Sequence, residues 1–375
     1  MADLDTPATD PADPALARLI DQVQAARVSG TKLDLRGGGT KAFYGEPPQG
    51  QPLDLRELSG ISSYEPTELV VTARAGTLLS ELEAALAEQG QCLPFEPPRF
   101  APGGTVGGMV AAGLSGPARA TAGALRDYVL GASLLNGRGE VMSFGGQVMK
   151  NVAGYDVSRL LAGSLGVLGI ICEVSLKVLP RPVASATLRF EMDEAQALAQ
   201  LNRWGGQPLP LSASAWWEGI LVLRLAGAEA AVSAAMSRLG GEPVEPPLAA
   251  GFWQGLRDQR DEFFVGAQRA VEKPDSTAAL WRLSVPQTAP PLRLSGEQLV
   301  EWGGAQRWRC SSTPAATVRE AATAAGGHAT LFRARDKRAG VFAPLKPPLD
   351  RIHRQLKRAF DPDGLFNPGR LVPGL

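Results

Sequence analysis

The chain has 375 residues, 44% of them hydrophobic and 20% charged, so it is long enough for two domains with substantial cores. Its 38 basic and 38 acidic side chains cancel, and no domain-sized stretch has the basic excess that a nucleic-acid-binding protein needs to contact phosphates. The three cysteines are odd in number and lack C-x-x-C spacing, which argues against a disulfide framework, a zinc site and an iron–sulfur cluster of the chain's own.

The N-terminal segment and the hydropathy of the chain predict a cytoplasmic protein. Residues 1–14 are acidic and proline-rich, which predicts a disordered tail and lacks the basic and apolar regions of a signal peptide. The longest uncharged stretch, Phe100–Ala118, is interrupted by glycines and prolines and does not resemble a membrane span. We therefore expect any membrane association to come through partner proteins.

The first half of the chain is predicted to alternate helices with short strands. Asp13 has the residue type of an N-cap, Pro14 suits the first helical position, and Gly30 ends this first helix. A second helix is predicted to follow Thr77 as its N-cap and to end at Gly90. The predicted strands are Leu33–Leu35, Leu53–Leu55, Leu69–Ala75, Tyr128–Leu135, Glu140–Phe144 and Ile170–Leu179.

The second half of the chain has a different pattern from about residue 184 onward. Strand-like segments such as Ala186–Phe190 alternate with alanine-rich helical segments such as Glu194–Asn202, and most tryptophans fall here. This pattern predicts a second domain of mixed helix and strand. A helix over Asp350–Phe360 and the turn-rich segment Asp361–Gly369 follow near the C-terminus.

Three glycine-rich loops in the first half indicate a nucleotide site, and two of them have the form of an anion-binding concavity. Arg36–Thr40 follows a predicted strand and Pro102–Gly108 lies further along the chain, and both offer backbone N–H groups that a pyrophosphate could approach closely. Thr40 and Thr105 add hydroxyl groups. The chain contains neither G-x-G-x-x-G nor a Gly-Lys dipeptide, so a Rossmann site and a P-loop are not supported. One such loop alone could be a tight turn, whereas several in order favour a nucleotide site.

The order of these loops and of other motifs resembles the FAD-binding domain of the vanillyl-alcohol-oxidase and p-cresol-methylhydroxylase (PCMH) superfamily. The similarity is close over about residues 15–182 and returns in the last few tens of residues. The segments that carry it are Arg36–Thr40, Pro102–Gly108, Arg126–Gly131, Lys150–Asp156, Gly163–Gly169 and Phe366–Arg370.

This resemblance implies an α+β fold with a two-subdomain PCMH-type FAD-binding domain and an α+β cap domain. The implied division is a tail over 1–14, the FAD-binding domain over 15–182, the cap over 183–330, and a segment returning to the flavin over 331–375. The two glycine-rich loops would cradle the FAD pyrophosphate, and other motifs would line the adenosine and flavin path. The residues implied in cofactor binding are Arg36, Gly37, Gly38, Gly39, Thr40, Pro102, Gly103, Gly104, Thr105, Gly107, Gly108, Asp127, Gly154, Ser164, Gly166, Gly169, Ile170 and Asn367.

The chain departs from the family pattern at two positions. Many relatives place a histidine directly after the glycine triplet and attach it covalently to the flavin, but this chain has Thr40, so we expect FAD to be held non-covalently. The familiar Gly-Ser-Glu-Gly is changed by Leu165, and the role of that glutamate is therefore missing. For Asp127 and Asp156, a turn or capping role is an equally open alternative.

Histidine is too scarce to identify a catalytic site from the sequence. Oxidation of a 2-hydroxy acid needs a base for the hydroxyl proton and a cation for the carboxylate, and related catalytic subunits use histidines for the base and for a metal. This chain has only His328 and His353, in no metal-binding spacing, so we predict no metal site. His353 lies in a basic helix and has the pattern of a solvated face. His328 and the basic residues Arg333 and Arg335 are weak catalytic candidates, and a solvated strand edge is the alternative.

Within the superfamily, the scarce histidines, the chain length and the C-terminal turn are similar to those of the smaller FAD-binding subunits of glycolate oxidases. The resemblance implies a larger catalytic flavoprotein subunit and an iron–sulfur subunit as partners, with a small 2-hydroxy acid as the substrate of the complex. Two alternatives stay open: a self-sufficient FAD-linked oxidoreductase, and a non-catalytic scaffold that keeps the flavin fold.

Overall fold

The computed structural model describes residues 13–146 and 156–375, and the predicted tail lies almost entirely outside this range. The α-helices of the described residues are α1 (Pro14–Ser29), α2 (Leu79–Glu88), α3 (Val106–Ala112), α4 (Arg119–Ala122), α5 (Glu194–Gly205), α6 (Glu229–Leu239), α7 (Pro246–Asp258), α8 (Glu262–Glu272), α9 (Ala315–Ala324) and α10 (Leu349–Phe360). Short 3₁₀ helices cover Leu125–Tyr128, Ser158–Leu161 and Trp302–Gly304.

The strands form two large sheets and two small ones, and the predicted α+β fold class is confirmed. Their bounds are β1 (Leu33–Arg36), β2 (Gln51–Asp54), β3 (Ile61–Glu65), β4 (Val70–Arg74), β5 (Gln91–Cys92), β6 (Val129–Leu135), β7 (Val141–Gly145), β8 (Ile170–Lys177), β9 (Leu179–Pro180), β10 (Ala184–Glu191), β11 (Leu211–Trp217), β12 (Ile220–Gly227), β13 (Glu242–Val244), β14 (Ala279–Ser284), β15 (Glu297–Glu301), β16 (Gln306–Ser311) and β17 (His328–Arg333).

A five-stranded antiparallel sheet with the order β3-β4-β8-β6-β7 forms the centre of the first half. The central strands β6 and β8 are buried along nearly their whole length because helices cover both faces. Helices α2 and α3 pack on one face and helix α1 packs on the other. Continuous apolar runs in the sequence match this double burial.

The ends of the first two helices test the predicted capping residues. The Asp13 carboxylate accepts a hydrogen bond from Ala15 N at 2.8 Å, and Gly30 ends α1 with a φ of 71°, so both predictions are confirmed. The prediction that Thr77 caps α2 is wrong, because Leu78 occupies the N-cap position. The Thr77 hydroxyl is used elsewhere, in hydrogen bonds with the backbone N–H and carbonyl of Gly60, each 2.9 Å long.

The C-terminal segment returns to the first strand of the chain. Strand β1 pairs in parallel with β2 and also bridges to Phe366. The Leu33 N–H donates to the Leu365 carbonyl at 2.8 Å, and the Leu33 carbonyl accepts from Asn367 N at 2.9 Å. The tertiary fold thereby places the Asn-Pro-Gly turn next to the first glycine-rich loop.

An eight-stranded antiparallel sheet with the order β13-β10-β12-β11-β15-β16-β14-β17 makes up most of the second half. Helices α5 and α6 cover one part of it, α8 packs against β14, and α9 packs against β17. Strand β17 is an edge strand that extends past the predicted cap boundary at residue 330. Of the helices in residues 13–146 and 156–375, none is long and apolar enough to cross a membrane.

Candidate cofactor site

The two glycine-rich loops lie side by side along one open cleft in the first half of the chain. The cleft has a volume of about 290 Å³. Its walls come from β1, the start of α3, the start of β8 and the C-terminal turn. The predicted cofactor-binding residues that line it are Arg36, Gly37, Gly38, Gly39, Thr40, Thr105, Gly107, Gly108, Gly166, Gly169 and Asn367.

Close contact between the two loops explains why glycine is needed in the first one. A Cβ atom at Gly38 would overlap the carbonyl oxygen of Gly103, and one at Gly37 would overlap the Thr105 side chain. Gly39 is different: its φ of +68° disfavours other residues, but a Cβ there would meet no protein atom. The first two glycines therefore join the loops, and the third leaves space open in the cleft.

Backbone N–H groups of the first loop are available to a ligand. In the described part of the chain, the N–H groups of Gly38, Gly39 and Thr40 donate to no protein acceptor. Gly38 and Gly39 are exposed in the open cleft, where water or a ligand can accept from these groups. Consecutive N–H groups of this kind form a concave site for an anion. Thr105 has a structural task as well, since its hydroxyl accepts from Gly108 N at 3.2 Å and caps α3.

Asn367 joins three chain segments at the wall of the cleft. Its side-chain oxygen accepts from Leu35 N at 2.7 Å, and its side-chain nitrogen donates to the Leu165 carbonyl at 2.7 Å. A Cβ at Gly166 would lie 2.7 Å from that nitrogen, so glycine is required beside it. Asn367 has a φ of 42°, a left-handed conformation that asparagine tolerates better than most residues.

A buried ion pair that was not predicted from the sequence holds the C-terminal turn in place. Lys357 on α10 pairs with Asp361 at 2.6 Å and also donates to the Val167 and Phe366 carbonyls. The Asp361 carboxylate accepts from the N–H groups of Leu365 and Phe366. The only signal in the sequence was a Lys and an Asp four residues apart at the end of a helix.

Several residues implied in cofactor binding lie away from the cleft surface. Pro102, Gly103 and Gly104 belong to the second loop, whose Gly103 carbonyl lies against Gly38, and Gly154 lies outside the described residues. The remaining three are Asp127, Ser164 and Ile170.

Local structure accounts for the position of each of these three residues. The Asp127 carboxylate accepts from Ala124 N at 2.9 Å and stabilises its own 3₁₀ turn. The Ser164 hydroxyl is buried and accepts from Gly166 N at 3.3 Å. Ile170 points into the core beneath α1, because successive strand residues alternate between faces, and its neighbour Ile171 lines the cleft instead.

The weak catalytic candidates are not brought together at the cleft. His328 is exposed at the start of the edge strand β17. The Arg333 guanidinium lies 3.4 Å from the ring centroid of Phe43, and burial lowers its pKa to about 10. Arg335 is exposed and donates to the Lys273 carbonyl at 2.9 Å.

The cleft wall has further charged and apolar residues, of which Asp34, Lys41 and Arg370 were not predicted from the sequence. Asp34 pairs with Arg36 at 2.6 Å, and Arg370 donates to the Ala42 carbonyl at 2.7 Å and to the Glu46 carbonyl. Lys41 lines the cleft directly after Thr40. Leu165, which replaces the familiar glutamate, is buried and packs in an apolar cluster that includes Tyr44.

Known proteins are similar to this chain in its FAD-binding part and over nearly its full length. Residues 16–145 match a family model described as an FAD binding domain. The chain is 49% identical over 357 residues to "Glycolate oxidase subunit GlcE" of Escherichia coli, covering 95% of this chain and 97% of that protein.

Other relatives share only part of their length with this chain. It is 31% identical over 167 residues to "Glycolate oxidase subunit GlcD" of Bacillus subtilis, covering 44% of this chain and 35% of that one. It is 34% identical over 161 residues to a D-lactate dehydrogenase of Anaerostipes hadrus, covering 43% and 32%. The solved structure of an alkyldihydroxyacetonephosphate synthase shares the fold, with a TM-score of 0.62 and 16% identity over 95% of this chain and 76% of that one.

Proposed function

Because the chain belongs to the family of the glycolate oxidase subunit GlcE, we propose that it is the FAD-binding subunit of a heteromeric glycolate oxidase. The complex would oxidise glycolate and similar 2-hydroxy acids to 2-oxo acids. The observation that carries this proposal is the 49% identity that extends over nearly the full length of both chains. The cleft formed by the two glycine-rich loops supports it independently of that similarity.

The residues of the cleft fit FAD. The free N–H groups of the first loop and the hydroxyl of Thr40 would hold the negatively charged diphosphate. The apolar side chains of Leu35, Leu55 and Ile171 would pack against a ring system. When bound, FAD supplies redox chemistry to the complex, and the chain's own contribution is to bind and orient it. Thr40 is not a nucleophile for the flavin, so the cofactor would be held non-covalently.

The lining of the cleft favours a role inside a complex over independent turnover. A 2-hydroxy acid needs a base for its hydroxyl proton, and among the described residues of the cleft wall there is no histidine. Asp34 is the one carboxylate in that wall, and it is already paired with Arg36. A larger flavoprotein subunit would therefore remove the proton and hydride, and an iron–sulfur subunit would carry the electrons onward.

We also propose the division of the chain that the family resemblance implies. Residues 15–182 with 331–375 would form the FAD-binding part, and 183–330 would form the cap. The separate five-stranded and eight-stranded sheets support this division. The end of β17 at Arg333 favours a cap boundary slightly later than residue 330.

Reconstitution of the complex tests the proposed function. The full chain would be co-expressed with a larger flavoprotein subunit and an iron–sulfur subunit of a glycolate oxidase, and glycolate-dependent reduction of a dye would be measured with and without it. We expect all three proteins to copurify and activity to require this chain. The isolated chain should show flavin absorption that acid precipitation releases into the supernatant, with no bleaching by glycolate.

Other results would contradict the proposal in distinct ways. Bleaching of the isolated chain by glycolate would establish a self-sufficient oxidoreductase. No flavin absorption even after adding FAD, in a complex whose activity still requires this chain, would establish a scaffold. Full activity without this chain would show that it is not a subunit of the oxidase. Flavin that stays in the acid pellet would contradict the non-covalent attachment expected from Thr40.

A further inference from the structure

Lys41 is a cation whose place in the cleft is not explained by the fold. It lies in the turn after the first glycine-rich loop, where the Tyr44 N–H donates to the Lys41 carbonyl at 3.0 Å. Its side chain lines the cleft, with Nζ 3.9 Å from the position that a Cβ of Gly104 would take. The same Nζ lies 5.8 Å from the ring centroid of Phe100. The ammonium group is therefore held between the first loop and the second.

The other two cations of the cleft wall already have protein partners. The Arg36 guanidinium pairs with Asp34, and the Arg370 guanidinium donates to two backbone carbonyls in the 42–46 turn. Lys41 Nζ makes no hydrogen bond and no ion pair with the described residues. Asp258 attracts it from a longer distance, but that carboxylate is bound by Arg257 through contacts of 2.9 Å.

Partial burial makes this position unfavourable for a charged group without a partner. It lowers the pKa of Lys41 to about 8, with the attraction of Asp258 opposing the shift. An ammonium group in such surroundings gains stability when an anion displaces water and accepts its hydrogen bonds. The N–H groups of Gly38, Gly39 and Thr40 on the same loop also lack acceptors in the described chain, so one anion could satisfy both sets of donors.

We propose that the Lys41 ammonium pairs with an anionic oxygen of the bound FAD and so acts as a positioning residue for the cofactor. This inference rests on the proposed function only for the identity of the ligand. Two parts of FAD offer such an oxygen: the diphosphate, and the isoalloxazine ring when it is reduced. The position of Nζ beside the second glycine-rich loop favours the diphosphate.

Titration of the flavin-free full chain with FAD and with riboflavin, which lacks phosphate, tests the pairing. The variants are Lys41→Met, which removes the charge, Lys41→Arg, which keeps it, and Lys346→Met, an exposed lysine away from the cleft, as the control. Pairing with the diphosphate predicts a loss of FAD affinity of roughly tenfold to a hundredfold in Lys41→Met. Riboflavin affinity should be unchanged, Lys41→Arg should recover most of the FAD affinity, and Lys346→Met should match the wild type.

The reduction potential of the bound flavin separates the two parts of FAD. If Lys41 meets the isoalloxazine ring, Lys41→Met should lower the potential, because a cation near the ring stabilises the reduced anion. Pairing with the diphosphate leaves the potential unchanged. Equal FAD affinity and equal potential in the wild type and Lys41→Met would overturn the inference while leaving the proposed function intact. A wild-type chain that binds no FAD would overturn both.

Discussion

The cleft and the aromatic cluster next to it use the space between structural elements in opposite ways. The cleft is walled by glycines, backbone and short side chains, and it stays open. The aromatic cluster consists of Phe43, Phe100, Phe264, Trp308 and Phe332, whose neighbouring rings lie 4.8–6.2 Å apart, mostly edge to face. It fills the space between the 42–46 turn and the eight-stranded sheet.

This difference indicates how stability and binding are distributed. A cavity beside the aromatic cluster, lined by Glu301 and Gln306 among others, has a volume of about 20 Å³, which is enough for about one water molecule. Cofactor binding should therefore depend on the glycine-rich loops, and the free energy of unfolding should depend mainly on the aromatic cluster. Three substitutions test that separation.

Removing an aromatic ring should have the largest effect on stability. Phe332 is 1% exposed and contacts Phe43, Tyr44 and Trp308, so Phe332→Ala should lower the free energy of unfolding by about 3–5 kcal/mol. The variant should keep the wild-type affinity for FAD. Urea unfolding and FAD titration measure the two quantities. Phe332→Leu is the matched control, and its free energy of unfolding should fall less than half as much. A large loss of FAD affinity in Phe332→Ala would contradict the separation of stability from cofactor binding.

A methyl group in the first glycine-rich loop should lower FAD affinity strongly and the free energy of unfolding only moderately. Gly38→Ala brings a Cβ into the Gly103 carbonyl, so the two loops must separate. We expect a stability loss of about 1–3 kcal/mol and a large loss of FAD affinity. Gly251→Ala in helix α7 has open space around its Cβ and is the control. It should keep full FAD affinity and unfold at slightly higher denaturant concentration; normal FAD binding by Gly38→Ala would show that the loops need not touch.

The smallest expected effect is a pH dependence of stability that comes from a buried carboxyl beside the aromatic cluster. Glu301 accepts hydrogen bonds from Trp308 and Gln306, yet burial raises its pKa from 4.5 to about 7. Between these two pH values the folded state holds a proton that the unfolded state has lost, so stability falls as the pH rises. Glu301→Gln should remove this slope and be more stable than the wild type at pH 8, by about 1.4 kcal/mol for each unit by which burial raises the pKa. Unfolding midpoints between pH 5 and pH 8 measure this pH dependence, and the exposed Glu297→Gln is the control. If the midpoints of the wild type and Glu301→Gln change with pH in parallel, Glu301 is not the group responsible.

Much of the local structure could be predicted because its causes lie within a few residues. The Asp13 cap, the Gly30 end of α1 and the apolar runs of β6 and β8 each follow from neighbouring residue types. Strand β3 was not predicted, because its residues are mostly exposed and show no apolar alternation. The glycine-rich loops could be recognised individually, together with the kind of ligand that such loops suit.

The partners of each side chain were decided only by the tertiary structure. The sequence alone determined that Arg36–Thr40 and Pro102–Gly108 have the composition of anion-binding loops, but their contact depends on how α3 packs against the five-stranded sheet. The orientation of Ile170 away from the cleft, the stacking of Arg333 on Phe43 and the position of Lys41 between the loops likewise depend on residues far away in the chain. Such contacts follow from long-range packing, which local propensity does not encode.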